Sequence, residues 1–293
     1  MRIAFFGTSA FAAGALERLV GQHGIDVAVV VSQPDRPAGR GRRTAPPPVA
    51  AAAAALGLPL LQDEWASSDP PAVDAGAVVA FGQILKPPLL GAYPLFNLHP
   101  SLLPRWRGAA PIERAIMAGD TETAAAVIAL VAELDAGPLH GLERFPIGPD
   151  DDAGTVAERA LDLGVPLLAE ALRGRTSGRE QVGDTTYAAR LGPEERQIDW
   201  SEPAARIADQ VRALSPHIGA RAVLGDRPVI VWRVRAVAGE RLPAATITAT
   251  DRGLRIACGN GAVDVLELQP AGKRRMAVAE FVRGLRAPPE RAS

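Results

Sequence analysis

At 293 residues and 47% hydrophobic content, the chain is long enough for two ordinary domains and can bury a sizeable core. It holds no run of about 18 or more uncharged apolar residues, so no membrane-spanning helix is expected, and its single cysteine, Cys258, excludes an intrachain disulfide or a cysteine-based zinc cluster, which fits a reducing cytoplasm. The formal net charge of −1 conceals an asymmetry: residues 201–293 carry 15 Lys and Arg against 9 Asp and Glu, while residues 1–200 sum to −7. Either the basic half is open to a polyanion, or an arginine-rich composition, with only Lys86 and Lys273 as lysines, has fallen unevenly along the chain.

The first half alternates strand and helix. The opening MRIAFFGTSAFAAG runs straight into a glycine turn, so residues 2–6 read as a buried strand rather than the core of a signal peptide. Residues 10–20 carry helical apolar spacing, and 26–32 (DVAVVVS) read as a second strand. A helix is predicted over 49–56, a strand over 77–81, and a strand over 93–98 that leads into NLHPSLLPRWRGAAPI. Pro111 opens a helix to Met117 from its first position, and 124–132 (AAAVIALVA) is an apolar, central strand. This alternation predicts an α/β fold: a Rossmann-like, mostly parallel sheet with helices on both faces.

From 173 to 200 the periodicity fails, and a polar, glycine-rich linker is placed over 179–202, after a domain of residues 1–178. Residues 203–293 form the second domain. It has a helix over 203–214, strands over 229–237, 244–250, 253–258 and 262–268, a Gly-Asn-Gly hairpin turn between the last two, and a closing amphipathic helix over 277–286. The pattern is that of a small, OB-like β-barrel, an architecture that often binds oligonucleotides.

Residues two apart on a strand share a face, so Asn97 and His99 project together from a strand end, where open α/β sheets bind ligands. A carboxamide donor beside an imidazole suits stabilisation of an oxyanion and movement of protons in acyl transfer. It equally describes an Asn in a turn and a His capping a loop. No Gly-x-Ser-x-Gly and no Cys near a His is present, so an attacking nucleophile would belong to a substrate. Asp135, in ELDAGP just past the 124–132 strand and at the same predicted edge as Asn97 and His99, is either a turn former or the carboxylate that orients His99. The first turn, Gly7-Thr-Ser-Ala-Phe-Ala, has one of the three glycines of a dinucleotide fingerprint, which argues against a nicotinamide enzyme. Residues 32–48 hold Arg36, Arg40, Arg42 and Arg43 in a glycine- and proline-rich loop, which either contacts nucleic-acid phosphates or is a solvated insertion.

Taken together, NLHPSLLPRWRGAAPIERAI and the downstream LDAG resemble the formyltransferases that use 10-formyltetrahydrofolate. QPDRPAGRGRR, RQIDWSEPA and LQPAGKRRM are similar to the basic loop, interdomain signature and C-terminal hairpin of the methionyl-tRNA formyltransferases within that family. The resemblance covers nearly the whole chain. It implies that Asn97, His99 and Asp135 are the catalytic trio, that Ser101, Leu102, Leu103 and Pro104 contact the folate, and that the four loop arginines contact tRNA. The implied reaction is transfer of the formyl group from 10-formyltetrahydrofolate to the α-amino group of methionine esterified to initiator tRNA, by a cytoplasmic monomer without a metal. Two stretches depart from the family pattern: Pro138 follows Gly137 where an acid is common, and Ser215-Pro216-His217-Ile218-Gly219 stands where an Asn-Pro-Trp-Pro-like stretch is usual. A formyltransferase for a small amine would explain the trio but not the basic half. A catalytically dead nucleic-acid binder would explain the charge but not the trio.

Overall fold

The computed structural model describes residues 1–38, 43–62, 71–85, 89–239, 241–250, 253–285 and 287–293, with the backbone alone for Ala38, Arg43 and Thr250. The chain divides into two compact units. One comprises Met1–Pro111, Glu122–Pro146 and Ala157–Ala189; the other comprises Ile112–Thr121, Ile147–Val156 and Arg190–Ser293.

The first unit is built on a seven-stranded sheet in the order Leu139–Pro146, Glu122–Ala129, Leu95–His99, Ala75–Val79, Arg2–Gly7, Asp26–Val31, Leu60–Leu61. The five strands from Leu95–His99 to Leu60–Leu61 are parallel. Their β-branched and aromatic runs are buried along most of their length, as strands covered on both faces must be. On one face Ala4 and Phe6 join Val78, Phe81, Leu85, Leu89 and Leu95 in a single cluster. Helix Ala10–Val20, capped by Ser9, packs against the sheet as its spacing predicts.

Two features of this sheet differ from the sequence reading. Glu122–Ala129 runs antiparallel to Leu95–His99, with Ala129 opposite Phe96 and Ala126 opposite His99. It therefore ends beside the start of Leu95–His99, not at the shared edge expected for Asp135, and the chain has to double back to return. Strand Leu139–Pro146 and helix Ala153–Leu172 were not predicted. The strand's alternation is broken by a register shift between Leu139 and Gly141, and the helix carries Pro166 in its interior. That helix lies close under the sheet: a Cβ on Gly164 would sit 2.4 Å from Leu98 Cδ1. Burying a leucine as completely as Leu98 is worth about 1.5–3 kcal/mol.

The described residues of the basic stretch after Asp26–Val31 are paired rather than irregular. Arg36–Ala38 pairs antiparallel with Arg43–Ala45, and helix Pro48–Ala55 follows with its proline at the first position.

The second unit carries an antiparallel sheet ordered Ala220–Leu224, Arg227–Val237, Ala262–Pro270, Gly253–Ala257, Ile247–Thr250, with Met276–Ala277 paired to Ala262–Pro270. The hairpin predicted at Gly259-Asn260-Gly261 closes with Ala257 opposite Ala262. The last residues join the two edges of this sheet. Gly225 N donates to Arg291 O and Ser293 N to Val223 O on one side, at 2.8 and 2.9 Å. On the other side, Ile247 N donates to Glu290 O and Ala292 N to Ala245 O, both at 2.8 Å. Residues 290–293 thus close the sheet into the small barrel that the strand pattern predicts. Helix Ala204–Ala213 packs its Ile207 and Val211 side on Arg227–Val237.

Candidate active site

Strand Leu95–His99 extends through both residues of the Asn-x-His pair. Alternation sends Leu98 toward helix Ala153–Leu172 and leaves Asn97 and His99 on the opposite face. His99 is 4% exposed. Its Nε2 lies 2.9 Å from the Trp106 carbonyl, which can only accept, so Nε2 carries a hydrogen and Nδ1 is the nitrogen turned toward Asp135. The His99 Nδ1 to Asp135 Oδ2 separation is 3.7 Å. Asn97 Nδ2 donates to Asp135 Oδ1 at 3.3 Å, and the Gly108 N–H donates to Asp135 Oδ2 at 2.8 Å. The three residues singled out from the sequence therefore meet around one largely buried carboxylate.

Asp135 arrives there by an unusual path. Its φ is +49°, in the left-handed region, and residues 131–134 ahead of it are exposed, so little apolar burial holds the loop. Glycine is required on both sides of the contact. A Cβ on Gly137 would stand 1.7 Å from the Ala129 carbonyl oxygen, and Gly108, at φ +122°, would push one to 2.8 Å from the Ala188 carbonyl. Pro138, the departure from the family pattern, keeps the neighbouring ladder intact because its carbonyl accepts from Ala129 N at 3.0 Å.

Polar side chains that the sequence reading gave no role complete the corner. Arg107 is buried, donating through Nη1 to Glu133 Oε1 at 3.1 Å and through Nε and Nη2 to Gln181 Oε1 at 3.2 and 2.9 Å. Gln181 Nε2 donates to the carbonyls of Asp135 and Gly137 at 2.8 and 2.9 Å. Thr186 Oγ1 accepts from Trp106 N at 2.9 Å, and Tyr187–Ala188 pairs in parallel with Arg107–Gly108. Residues 179–189, placed in a linker by their composition, lie in the first unit. No periodicity marks them; the one available signal was an arginine inside an apolar motif, which needs acceptors from elsewhere. Nearby, burial lowers the pKa of His140, whose ring meets Phe96 edge-on at 4.9 Å.

Within the segment expected to contact folate, Ser101 is fully buried with its hydroxyl donating to Arg105 O at 2.8 Å. Leu103 packs with Ala126, Ile128 and Leu139, and Pro104 is buried. Leu102 is the one side chain of the four that is half-exposed. Of the four loop arginines, Arg36 is exposed and donates to Gln33 Oε1 at 2.6 Å; Arg40 and Arg42 lie outside the described residues, as does the Arg43 side chain. Among the described residues, no group of three or more His, Cys, Asp or Glu side chains is placed to share a metal ion, and no helix is long and apolar enough to cross a membrane.

Comparison with known proteins gives this corner a context. A family model described as Formyl transferase matches residues 1–172, and a second, described as Formyl transferase, C-terminal domain, matches residues 190–286. The methionyl-tRNA formyltransferase of Aromatoleum aromaticum is 41% identical over 97% of this chain and 94% of its own length. That of Paracoccus denitrificans is 42% identical over 98% of this chain and 99% of its own. Among solved structures, HypX from Aquifex aeolicus in complex with tetrahydrofolic acid has a TM-score of 0.68 at 16% identity, a likeness of fold. It covers 97% of this chain, which spans 48% of the HypX chain. With both units matched and relatives alike from end to end, the chain belongs to the formyl transferase family.

Proposed function

We propose that the chain transfers the formyl group of 10-formyltetrahydrofolate to the α-amino group of methionyl initiator tRNA. The observation that carries this reading is the extent of the likeness. Relatives named for methionyl-tRNA match across both units at 41 and 42% identity, and the second of these units carries the net +6 of residues 201–293.

In this reading the amine nitrogen attacks the formyl carbon, charge gathers on the formyl oxygen, and the bond from that carbon to N10 of the folate breaks. Asn97 has one amide N–H committed to Asp135 and donates the other to the developing oxyanion. Asp135 and His99 Nδ1 face one another and share the proton that the amine releases, which then passes to N10 of the departing folate. Trp106 O and Gly108 N fix the imidazole and the carboxylate in that relation before substrate arrives. All three side chains come from one copy of the chain, so a monomer suffices for the chemistry. Leu102 and the backbone of 101–104 face the folate, while the loop arginines and the barrel hold tRNA phosphates.

Several arginines of the second unit are paired within it, Arg212 with Asp209 and Arg255 with Asp264 among them. The test is one assay with the 10-formyl donor, comparing methionyl-tRNA with glycinamide ribonucleotide and an amino sugar nucleotide. Turnover on the tRNA alone is expected. Preference for either small amine would overturn the assignment of the acceptor.

A further inference from the structure

We infer that residues 179–189 are a strap of the catalytic corner, and that within it Gln181 is the positioning residue that sets the Asp135 carboxylate. The inference rests on the reading of Asp135 as the reacting carboxylate.

One carboxamide makes contacts in two directions. Its Nε2 donates to the carbonyl of Asp135 itself and to that of Gly137, two residues on, while its Oε1 accepts from both Nε and Nη2 of Arg107. The two carbonyls bracket the turn in which Asp135 is left-handed, so the amide holds the backbone conformation that aims the carboxylate back at Asn97 and Gly108 N. The other ties of the loop backbone are fewer: within it, Ala136 N donates to Glu133 O at 3.4 Å. Glu133 and Leu134 are exposed, and the Glu133 carboxylate is tied to the same Arg107. Arg107 directly precedes Gly108, the donor to Asp135 Oδ2, so Gln181 ties together the two loops that enclose the carboxylate. The rest of the strap fixes the first of those loops: Thr186 Oγ1 and Thr186 N bond Trp106 N and Pro104 O, and Tyr187–Ala188 pairs with Arg107–Gly108. The catalytic unit accordingly runs to Ala189, and the connection to the barrel begins after it.

Two substitutions in the full-length chain separate this role from a merely structural one. Gln181→Met removes both halves of the clamp. Gln181→Glu keeps an acceptor for Arg107, with a stronger charge pairing, but turns an oxygen toward the two carbonyls. Both variants should lose kcat by roughly 10–100-fold, as displacement of a reacting group by about an ångström does, with KM for donor and tRNA changed less than about threefold. The Glu variant should melt no lower than the Met variant, because it keeps the pairing with Arg107. Its kcat relative to the parent should rise as pH falls, because the new carboxyl takes up a proton and regains a donor; the Met variant should show no such rise. Amide hydrogen exchange over residues 130–138 should be faster in both variants at neutral pH, a readout that does not depend on which amine is formylated. A Glu variant with parental kcat at neutral pH would show that Gln181 only satisfies Arg107. Unchanged exchange over 130–138 overturns the clamp whatever the activity, and a parent inactive on methionyl-tRNA with exchange altered as stated faults the acceptor instead.

Discussion

The loop that carries Asp135 and the tail that closes the barrel are both irregular segments, held in opposite ways. The tail, residues 290–293, is fixed by main-chain bonds to Val223, Gly225, Ala245 and Ile247, which any residue except proline can make. The Asp135 loop is fixed by side chains: the Gln181 amide, the Arg107 guanidinium, and glycines at 108 and 137 where a Cβ would collide. A segment held by its backbone tolerates changes of sequence and yields to deletion. A segment held by named side chains fails at single positions, and this one sits where geometry matters most.

The sharpest break of that contrast is at the corner itself. Asn97→Ala should lower turnover by about 10²–10³-fold, the usual result of removing an oxyanion donor, with a stability loss of no more than about 1–3 kcal/mol for the hydrogen bond to Asp135 that it also removes. Near-normal turnover by a folded Asn97→Ala protein would remove the chemical reading of the site.

Gly137→Ala should both destabilise and inactivate. The Cβ would stand 1.7 Å from Ala129 O, a backbone atom that cannot move aside without disturbing Glu122–Ala129. A loss of about 1–3 kcal/mol, typical of overpacking, should appear in denaturant titration together with a fall in kcat. An alanine accepted at both levels would mean the loop has a second way to reach Asn97.

In the tail the prediction is reversed. Removing residues 290–293 deletes main-chain bonds worth about 0.5–1.5 kcal/mol each and should lower stability by several kcal/mol. Glu290→Ala and Arg291→Ala keep those bonds and should cost less than about 0.5 kcal/mol. A side-chain change as damaging as the deletion would erase the difference between the two segments. The smallest stability effect is expected at the basic stretch after Asp26–Val31. Replacing Arg36, Arg40, Arg42 and Arg43 by Ala should leave melting within about 0.5 kcal/mol of the parent, yet weaken tRNA binding and flatten its salt dependence by roughly 0.7–0.9 in slope per lost phosphate contact. Parental affinity and salt slope together would leave that stretch without a role in tRNA binding.

Much of this molecule was legible from local pattern. Apolar runs located Arg2–Gly7, Asp26–Val31 and Leu95–His99, Gly-Asn-Gly located the hairpin at 259–261, and the period of two placed Asn97 and His99 on one face. Those features depend on neighbours along the chain, so composition and spacing determine them. The direction of Glu122–Ala129 does not, because an apolar strand reads the same in either orientation; only its pairing with Leu95–His99 sent the chain back over the sheet to bring in Asp135. Gln181 was equally invisible, since a glutamine in a polar stretch has no period. Its four hydrogen bonds join it to residues 44 to 74 positions away. The sequence by itself determined that Asn97 and His99 share one face at the end of a strand. Tertiary structure alone decided how the carboxylate is aimed, because that depends on backbone carbonyls and a buried guanidinium finding partners across distances no local pattern records.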